Sequence, residues 1–588
     1  MFTTDRFQRC ATRLITFCAG LLAAAGAGDV HGQFARKLVL AHHMPCYPLT
    51  NPYVRGINPY NTNALKHEPR ELVTQRAGLR NRRREAPLMG ACWFKDGMVP
   101  WAKRGDTLLD GARCEIQSAI ESGIDGFVFQ YGAGFGGRKG AEKWDVLHSS
   151  TARINAYFEV AEEQFPDFKM TVCLDEAMFS IRPDRNQTRE KALYRRQVTV
   201  EQFLARHIDS PNLLRTEDGN VVITSYRANN LGSTRKRAAT VDGKLKRQEQ
   251  VIRNWQQVWR KIEEKYGEEI FFVADLPNVW QYKRYDLYQM PRKDVGRLFR
   301  MWAEAFDGIS MFGVTDTVEE AAPYYQDAAR IAHEAGSIFI CPVWFGYCKS
   351  FPKGRILMQG SAPLRNSWQV ARESQADAVQ VVTWNDYGEY SNHCPGINLG
   401  YTLQQLTAYL GDWYRSNAPP GVEQDTVFLF YRRYPHQVEA TDFPADASVW
   451  LEMKNQIEVL VLAENAAELV LSDHEPVNVP AGMSRHVFPL EPGRPRATLL
   501  RDGRPVAEAE GLAEIIDGVE EKPYRRNLGT VAVSSNFKKL FHQDTGKAFD
   551  PTDPMWRDVN ENGLADWYEL IQAGSDHKVL PAGVERKR

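Results

Sequence analysis

Short apolar runs alternate with longer amphipathic segments over the first two thirds of the chain. Eight runs are apolar at nearly every position, and they are Lys37–Met44, Gly126–Tyr131, Lys169–Asp175, Val221–Tyr226, Ile270–Asp275, Gly308–Val314, Ser337–Phe345 and Val379–Trp384. Strands that are buried on both faces of a parallel sheet have this continuous apolar character. The pattern therefore predicts eight buried parallel strands.

The segments between these runs carry apolar residues at the spacing of a helix. One of them repeats Val and Trp at helical intervals from Val251 to Ile262. Eight strand–helix units in series favour a closed (β/α)8 TIM barrel over residues 37–415. The alternative is an open doubly wound sheet, which would need a glycine-rich turn after the first strand. The sequence HHMP at that point is not such a turn.

After residue 425 the runs become shorter and alternate with polar residues. These runs are Thr426–Tyr434, Ala447–Lys454, Gln456–Asn465, Ala467–Ser472, Arg485–Leu490 and Arg496–Gly511. The last run contains Arg501-Asp502-Gly503-Arg504, which has the sequence of a hairpin turn. The pattern predicts a β-sandwich domain over residues 425–530, and it leaves open whether that domain binds carbohydrate or supports the barrel.

The first 27 residues have the pattern of a signal peptide. Basic residues precede the apolar stretch Leu14–Ala27, which ends in small residues that fit a cleavage site. The stretch is too short to span a bilayer comfortably, so an N-terminal anchor or a buried helix is the less favoured alternative. We expect a secreted or periplasmic protein with no membrane attachment after cleavage.

Composition narrows the class of partner. Apolar residues make up 43% of the chain and charged residues 25%, which is typical of a packed globular protein. The formal net charge is −1, so the chain has no general attraction for a phosphate backbone, and we expect no nucleic-acid partner. The oligomeric state is left open.

The barrel prediction locates a candidate site, because active sites of TIM barrels lie at the carboxyl ends of the strands. Carboxylates, aromatic rings and amides gather at those ends, which suits a neutral polyhydroxy substrate. The predicted substrate-binding residues are His43, Tyr131, Asp175, Glu176, Asp275, Trp344, Trp384 and Asn385. For the carboxylates the alternative role is a buried ion pair or a helix cap, and for the aromatic rings it is barrel packing.

Two carboxylates, Asp386 and Glu389, follow the eighth run in the string TWNDYGE. Glycoside hydrolysis uses such a pair, because one acid protonates the leaving oxygen while the other carboxylate activates water or attacks directly. Side chains three apart in a continuing strand would point to opposite faces. Gly388 allows the chain to turn there, so both carboxylates can face one cleft.

The stretches Cys341–Phe351 and Leu364–Ser391 resemble glycoside hydrolase family 71, the endo-α-1,3-glucanases or mutanases, and Lys37–Met44 and Glu121–Gly132 fit the same pattern. The resemblance implies a catalytic (β/α)8 barrel followed by β-rich domains. It also implies hydrolysis of α-1,3-glucosidic bonds in a polysaccharide with inversion, without a cofactor in catalysis. By the same resemblance Asp386 is the general base and Glu389 the general acid.

The sequence departs from the family in places, and two other functions stay open. Many members continue the motif as GESHY, whereas Glu389 is followed here by Tyr390-Ser391-Asn392-His393. One alternative is a glycan-binding protein on an inactive barrel, against which the intact Asp386 and Glu389 argue. The other is a mannan-cleaving enzyme of the family 99 type, whose motif carries Glu where this chain has Asp386.

The C-terminal tail, residues 550–575, carries the spacing of an EF-hand calcium loop. The predicted ligands are Asp558, Asn560, Asn562, Leu564 through its carbonyl, Asp566 and Glu569, with Gly563 at the turn. Ca²⁺ takes six to eight oxygen ligands around a tight turn, and this spacing supplies them. We predict a structural Ca²⁺ site there. The alternative is an Asn-Gly turn that leads into an Asp-capped helix.

Overall fold

A computed structural model describes the chain in segments, which are residues 34–45, 108–132, 145–176, 188–233, 238–284, 288–313, 317–348, 356–357, 360–386, 390–396, 398–435, 449–450, 455–517, 529–545 and 548–549. The predicted signal peptide, Glu389 and the calcium loop lie outside these residues. Within the described part of the chain, no helix combines the length and apolar character needed to cross a membrane.

The N-terminal strands close into a parallel barrel, which confirms the predicted (β/α)8 fold. Its strands are β1 Leu38–His43, β2 Gly126–Tyr131, β3 Lys169–Asp175, β4 Val221–Tyr226, β5 Ile270–Leu276, β6 Gly308–Met311, β7 Ile338–Val343 and, after two short strands β8 Tyr347–Cys348 and β9 Ile356–Leu357, β10 Ala378–Val381. Each barrel strand pairs with the next, and β10 closes the ring against β1. The sequence pattern located every one of these strands to within three residues.

Helices cover the outside of the barrel. They are α1 Leu108–Glu121, α2 Asp145–Gln164, α3 Arg189–His207, α4 Val241–Tyr266, α5 Val279–Arg284, α6 Arg292–Ala305, α7 Val318–Glu334, α8 Ala362–Glu373 and α9 Thr402–Ser416. The helix α4 shows how the sequence determines where a helix begins and ends. Its cap Thr240 accepts a hydrogen bond from the Gly243 amide, and Gly267 ends the helix at φ 70°. The predicted apolar face is buried.

Alternate residues of each barrel strand face the interior, because side chains in a strand point to opposite faces in turn. The interior core contains Leu40, Val128, Cys173, Val222 and Val273 together with neighbours of the same parity. Residues of the opposite parity pack between the strands and the helices. This parity determines which strand-end side chain enters the barrel mouth and which lies behind the wall.

The C-terminal region contains two antiparallel sheets of four strands each. Its strands are β11 Thr426–Arg432, β12 Val449–Trp450, β13 Gln456–Ala463, β14 Ala467–Leu471, β15 Val477–Val479, β16 Gly482–Pro489, β17 Arg496–Arg501, β18 Arg504–Glu510 and β19 Thr530–Ser534, and the helix α10 Phe537–Thr545 follows. The sheet that we call the inner sheet has the order β16-β13-β11-β19, and the second has the order β15-β14-β17-β18. Asp502 and Gly503 both have positive φ between β17 and β18, which confirms the predicted hairpin turn.

The inner sheet is covered on both faces. Phe428 and Phe430 of β11 pack into the core of the barrel, whereas Val427 and Leu429 pack against the second sheet. Every residue of β11 is therefore buried. The sequence analysis grouped β11 with strands that alternate apolar and polar residues. Burial of its other face against the barrel explains why β11 is instead an almost continuous apolar run.

Of the predicted strand Ala447–Lys454 the structure describes Val449–Trp450. These two residues form β12, which pairs in parallel with β9 and not with a strand of either four-stranded sheet. The strand β9 in turn pairs with β8, so these three strands form a small sheet in the connection that follows β7. The sequence could not show this, because a two-residue strand has no periodicity of its own.

Candidate active site

The barrel mouth is lined by polar and aromatic side chains of the inward-facing parity. They are His42 of β1, Gln130 of β2, Asp175 of β3, Tyr226 of β4, Asp275 of β5, Phe312 after β6 and Gln380 of β10. The ring of Phe312 lies 5.0 Å from that of His42 and 4.9 Å from that of Tyr226, measured between centroids. The side chain of Gln380 approaches the His42 Nδ1 at 3.3 Å. Hydrogen-bonding groups next to aromatic faces are the lining that sugar rings need.

Asp275 is a buried carboxyl group in this mouth. Its Oδ2 accepts a hydrogen bond of 2.9 Å from the Arg227 amide, and its Oδ1 has no hydrogen-bond partner among the described residues. Burial raises the pKa of Asp275 to about 8, against the lowering effect of the Arg227 and Phe312 amides. At neutral pH the group is therefore mainly protonated, and it has an unused oxygen for a sugar hydroxyl.

Asp175 lies two strands from Asp275 on the same inner face. Its Oδ2 accepts a hydrogen bond of 3.1 Å from the amide of Gln130. The Arg227 guanidinium stacks on the Tyr226 ring at 5.0 Å, and Tyr226, Asp175 and Asp275 all raise the Arg227 pKa against the effect of burial. Arg227 has φ 56°, so the chain leaves β4 in a left-handed conformation. The structure thus brings the two predicted carboxylates together with an arginine that the sequence analysis did not select.

The chain makes a tight turn after β10, and that turn carries Asp386. The Thr383 hydroxyl accepts from the Asp386 amide at 2.9 Å, and the Asp386 carbonyl accepts from the Ser391 amide at 3.3 Å. His393 closes the turn, because its Nδ1 lies 3.2 Å from the Thr383 carbonyl. Burial lowers the pKa of His393 to about 4, so the imidazole is neutral at neutral pH and donates from Nδ1. Asp386 is 8% exposed.

Trp384 and Asn385 precede Asp386 but lie behind the barrel wall. The Trp384 indole donates to Glu115 of α1 at 3.0 Å, and the Asn385 Oδ1 accepts from the Met44 amide at 2.7 Å. His43 lies in the same buried cluster, where its Nε2 is 2.9 Å from Glu115. The sequence placed these three side chains at the rim. The structure instead shows them fastening the end of β10 to β1 and α1. His43 has the outward parity of β1, whereas Trp384 and Asn385 lie beyond the last residue of β10, where the alternation of the strand no longer applies.

Three further predicted residues also lie on the helix side of the wall. The ring of Tyr131 lies 5.9 Å from Phe203 of α3, and the Trp344 ring lies 6.1 Å from Tyr325 of α7. Glu176 forms a completely buried ion pair of 2.5 Å with Arg196 of α3. These contacts correct the expectation of a rim position. Tyr131 and Glu176 have the outward parity of β2 and β3, and Trp344, one residue beyond β7, packs against α7. The alternative roles of barrel packing and ion pairing describe them.

The structure identifies mouth residues that the sequence analysis did not select. His42, Gln130 and Gln380 occupy the inner parity at the strand ends, next to residues that were selected. The alternating burial of each strand is the signal that separates inner from outer positions, but a run that is apolar throughout hides it. Glu115 had a clearer signal, since it is a carboxylate on the apolar face of α1 beside Ala112 and Ile116.

The predicted general acid and the predicted calcium ligands are not covered by the structural description. Glu389 and the tail ligands from Asp558 to Glu569 lie outside the described residues. Among the residues that are described, no cluster of His, Cys, Asp and Glu has the arrangement of a metal site. Of the predicted site residues in the mouth, the structure thus describes Asp175, Asp275 and the turn that carries Asp386.

Comparisons with known proteins agree with this geometry. The sequence profile of glycosyl hydrolase family 71 matches residues 103–539. A glucan endo-1,3-alpha-glucosidase of Schizosaccharomyces pombe is 22% identical over 431 residues, which cover 69% of this chain and 87% of that protein. A mutanase of Penicillium rubens is 23% identical over 205 residues, which cover 31% of this chain and 46% of that protein.

Among solved structures, a GH99 endo-alpha-mannosidase from Bacteroides thetaiotaomicron is 12% identical and covers 66% of this chain and 98% of that one. Its TM-score is 0.37, which is too low to carry a conclusion. The family 71 profile, by contrast, spans the barrel from its first helix to the inner sheet and includes the turn that bears Asp386. The chain belongs to glycosyl hydrolase family 71.

Proposed function

We propose that the protein hydrolyses α-1,3-glucosidic bonds within α-glucan chains, with inversion at the anomeric carbon. The observation that carries the proposal is the turn at the carboxyl end of β10. Trp384 and Asn385 fasten this turn to α1 and to the end of β1, and the Thr383 hydroxyl accepts from the Asp386 amide within it. These contacts support a position of Asp386 at the mouth of a family 71 barrel. The two relatives described above are named for activity on α-1,3-glucan or mutan.

In this mechanism the two motif carboxyl groups have opposite protonation states. Asp386, as the general base, removes a proton from the water that attacks the anomeric carbon. Glu389, as the general acid, protonates the glycosidic oxygen as the bond to the leaving sugar breaks. Water enters on the face opposite to the leaving group, so an α-linked substrate yields a β-anomer. An inverting pair of this kind holds its carboxyl groups about 6.5–9.5 Å apart.

The inner-facing residues of the mouth would bind the sugar rings. Asp175 and Asp275 are the polar groups best placed for sugar hydroxyls, with Tyr226 and Phe312 supplying aromatic faces. A protonated Asp275 can donate a hydrogen bond to a sugar hydroxyl, and the Asp175 carboxyl group, which accepts from Gln130, can also accept from one. The two groups together can therefore recognise both roles of a sugar hydroxyl.

The deciding experiment is incubation of the protein with insoluble α-1,3-glucan, α-1,6-glucan, starch and α-mannan in parallel. We expect oligosaccharides of mixed length from α-1,3-glucan alone, with the β-anomer appearing first in proton NMR. Binding without products would favour the glycan-binding alternative, and products from α-mannan would favour the family 99-type alternative. An initial α-anomer would contradict inversion.

We also propose export and a structural calcium site, both from the sequence. N-terminal sequencing of the protein recovered outside the cytoplasm should begin after Ala27. The tail loop should raise the melting temperature of the full-length protein in millimolar Ca²⁺, and Asp558→Ala should abolish that rise. Glu561→Gln, a change at a non-ligand position of the same loop, is the matched control and should keep it. A melting temperature insensitive to Ca²⁺ would contradict the site.

We infer that the two C-terminal sheets form the predicted β-sandwich. Residues of both sheets share one apolar core, in which Leu429 and Val459 of the inner sheet accompany Leu469 and Leu499 of the second. The sequence did not decide between a carbohydrate-binding module and a support for the barrel. The inner sheet favours support, because its other face is buried in the core of the barrel.

A further inference from the structure

The inner sheet reaches the turn that carries Asp386. The hydroxyl of Tyr390, four residues after Asp386, donates a hydrogen bond of 2.9 Å to the Thr530 carbonyl of β19. Tyr390 is 2% exposed and Thr530 is completely buried. A bond of this kind is costly to leave unmade, because a buried carbonyl without a partner loses its hydration and gains nothing in return.

This contact lies directly beside the candidate base. Ser391, the next residue, donates from its amide to the Asp386 carbonyl and accepts from the Thr383 amide at 2.9 Å. The Ser391 and Thr383 side-chain oxygens are 3.2 Å apart. A displacement of Tyr390 would therefore be transmitted through Ser391 to both ends of the turn.

The barrel and the inner sheet are joined around this point by further backbone contacts. The Ala532 amide of β19 donates to the Asn398 carbonyl at 2.8 Å, soon after the turn. On another side of the mouth, β12 of the C-terminal region pairs with β9 in the connection after β7. The C-terminal region thus contacts the segments that follow two barrel strands, β7 and β10.

Arg432 adds a charge at the same level of the inner sheet. It lies opposite Thr530 in the β11–β19 ladder. Phe430, two residues earlier and on the same face, packs against Phe345 just after β7, with 6.2 Å between ring centroids. Arg432 is 1% exposed, and its three guanidinium nitrogens have no hydrogen-bond partner within the described ranges.

A buried cation without a partner is unfavourable for folding. Burial lowers the pKa of Arg432 to about 10, so the group still carries its charge at neutral pH. The alternation of β11 directs this charge towards the barrel rather than towards the second sheet. It therefore places a positive potential on the side of the sheet that contacts the turn with Asp386.

We propose that the inner sheet positions the active-site turn that bears Asp386. In this proposal Tyr390 is a positioning residue held by Thr530, and the buried guanidinium of Arg432 is a second positioning residue. The inference rests on the proposed roles of Asp386 and Glu389. It assigns to the C-terminal region a function in catalysis rather than in the capture of polysaccharide.

Tyr390→Phe tests the anchor, because it removes only the hydroxyl that contacts Thr530. We expect kcat to fall about tenfold with KM changed by less than about twofold, since one buried hydrogen bond is worth roughly 0.5–1.5 kcal/mol. Tyr401→Phe is the matched control. Tyr401 is also buried, and its hydroxyl donates at 2.6 Å to Asp544 of α10, away from the turn. It should lose a comparable amount of stability and keep its kcat.

Hydrogen exchange supplies a readout that does not depend on activity. Amides of the turn, including those of Ser391 and His393, should exchange faster in Tyr390→Phe and at the wild-type rate in Tyr401→Phe. Equal exchange in the two variants, or an unchanged kcat in Tyr390→Phe, would overturn the anchor. If the wild type hydrolysed no α-glucan, the proposed function would fail while the exchange comparison still decided the positioning role.

Arg432→Met and Arg432→Lys test the charge. The Met variant should melt at a higher temperature than the wild type, because it removes an uncompensated buried cation, yet its kcat should fall about tenfold or more. The Lys variant keeps the charge and should recover at least part of kcat. A Met variant with unchanged kcat would remove Arg432 from the proposal, and so would a Lys variant as inactive as the Met variant.

Discussion

The inner and outer sides of the barrel wall carry similar polar residues at the strand ends and use them differently. On the outer side, the Glu115 Oε2 is reached by His43, Tyr157 and Trp384, and Glu176 is paired with Arg196. On the inner side, the Asp275 Oδ1 has no partner within the described part of the chain. The outer polar groups hydrogen-bond between strands and helices, whereas the inner side keeps hydrogen-bonding capacity for a ligand.

The comparison is sharpest where two neighbours in sequence lie on opposite sides. His42 contacts Gln380 and Phe312 in the mouth, whereas His43 is enclosed by Glu115 and aromatic rings behind the wall. The chemistry of the residue type does not distinguish these two histidines. Their parity along β1 does, and it predicts that changes on the inner side alter activity while changes on the outer side alter stability.

The largest effect is expected within the motif itself. Asp386→Asn and Glu389→Gln should each lower kcat by at least about a hundredfold, a usual contribution of general acid–base groups. Trp384→Phe, two residues before Asp386, should lower kcat far less than the carboxyl variants and cost about 2–3 kcal/mol of unfolding free energy, because the bond to Glu115 and part of the ring packing against Phe127 are lost. Steady-state kinetics and thermal melts measure the two quantities. Either carboxyl variant retaining most activity with an intact fold would refute the assignment.

The barrel could be predicted from the sequence because both faces of its strands are buried, so that each strand is a continuous apolar run. The same property concealed the inner and outer parity. All eight strands were located, but six of the eight predicted substrate-binding residues, including His43, Trp384 and Tyr131, are of the outer kind. Only Asp175 and Asp275 lie in the mouth.

Long-range pairing explains what else could not be predicted. The strand β19 lies opposite β11, about a hundred residues earlier in the chain, and β12 pairs with β9. No local spacing indicates such contacts, because they depend on how the C-terminal region closes over the barrel. The burial of Arg432 could not be predicted from the sequence either, because Arg432 stands at the end of an apolar run beside Arg433, where charged residues are usually exposed.

A second prediction breaks an outer-side contact. Glu176→Gln should lower the free energy of unfolding by about 3 kcal/mol, because it removes the ion pair with Arg196 at a site with no exposure. The kcat of the folded fraction should stay within about twofold. Urea unfolding and active-site-normalised kinetics test this pair of statements. A large loss of kcat with unchanged stability would place Glu176 with the inner residues instead.

The third prediction concerns the pH dependence of an inner residue. The unfolded Asp275 ionises near its ordinary pKa of 3.8, whereas the folded carboxyl group keeps its proton up to about pH 8. Between these values the folded state binds the extra proton, so Asp275 destabilises the protein increasingly as the pH rises. Asp275→Asn cannot ionise. Its melting temperature relative to the wild type should therefore increase from pH 5 to pH 8.

Activity should change in the opposite sense in the same variant. Asp275→Asn should raise KM about threefold, because the amide NH2 can still donate to a sugar hydroxyl but cannot accept from one. Asp275→Asn should therefore be more stable than the wild type and bind substrate more weakly. We expect this combination where a buried group is kept for binding rather than for stability. Unchanged KM, or a stability difference that does not vary with pH, would return Asp275 to a purely structural role.

The smallest effects are expected from a matched pair of tyrosines. Tyr131 lies behind the wall against Phe203 and hydrogen-bonds Thr151, whereas Tyr226 lies in the mouth with its ring 4.9 Å from Phe312. Tyr131→Phe should cost about 1 kcal/mol of stability and leave KM unchanged, because substrate does not reach that side. Tyr226→Phe should raise KM about threefold with a smaller loss of stability, since a hydroxyl that faces the mouth can exchange its partners for water. If the two variants changed KM alike, parity along the strand would not be what separates binding residues from packing residues in this barrel.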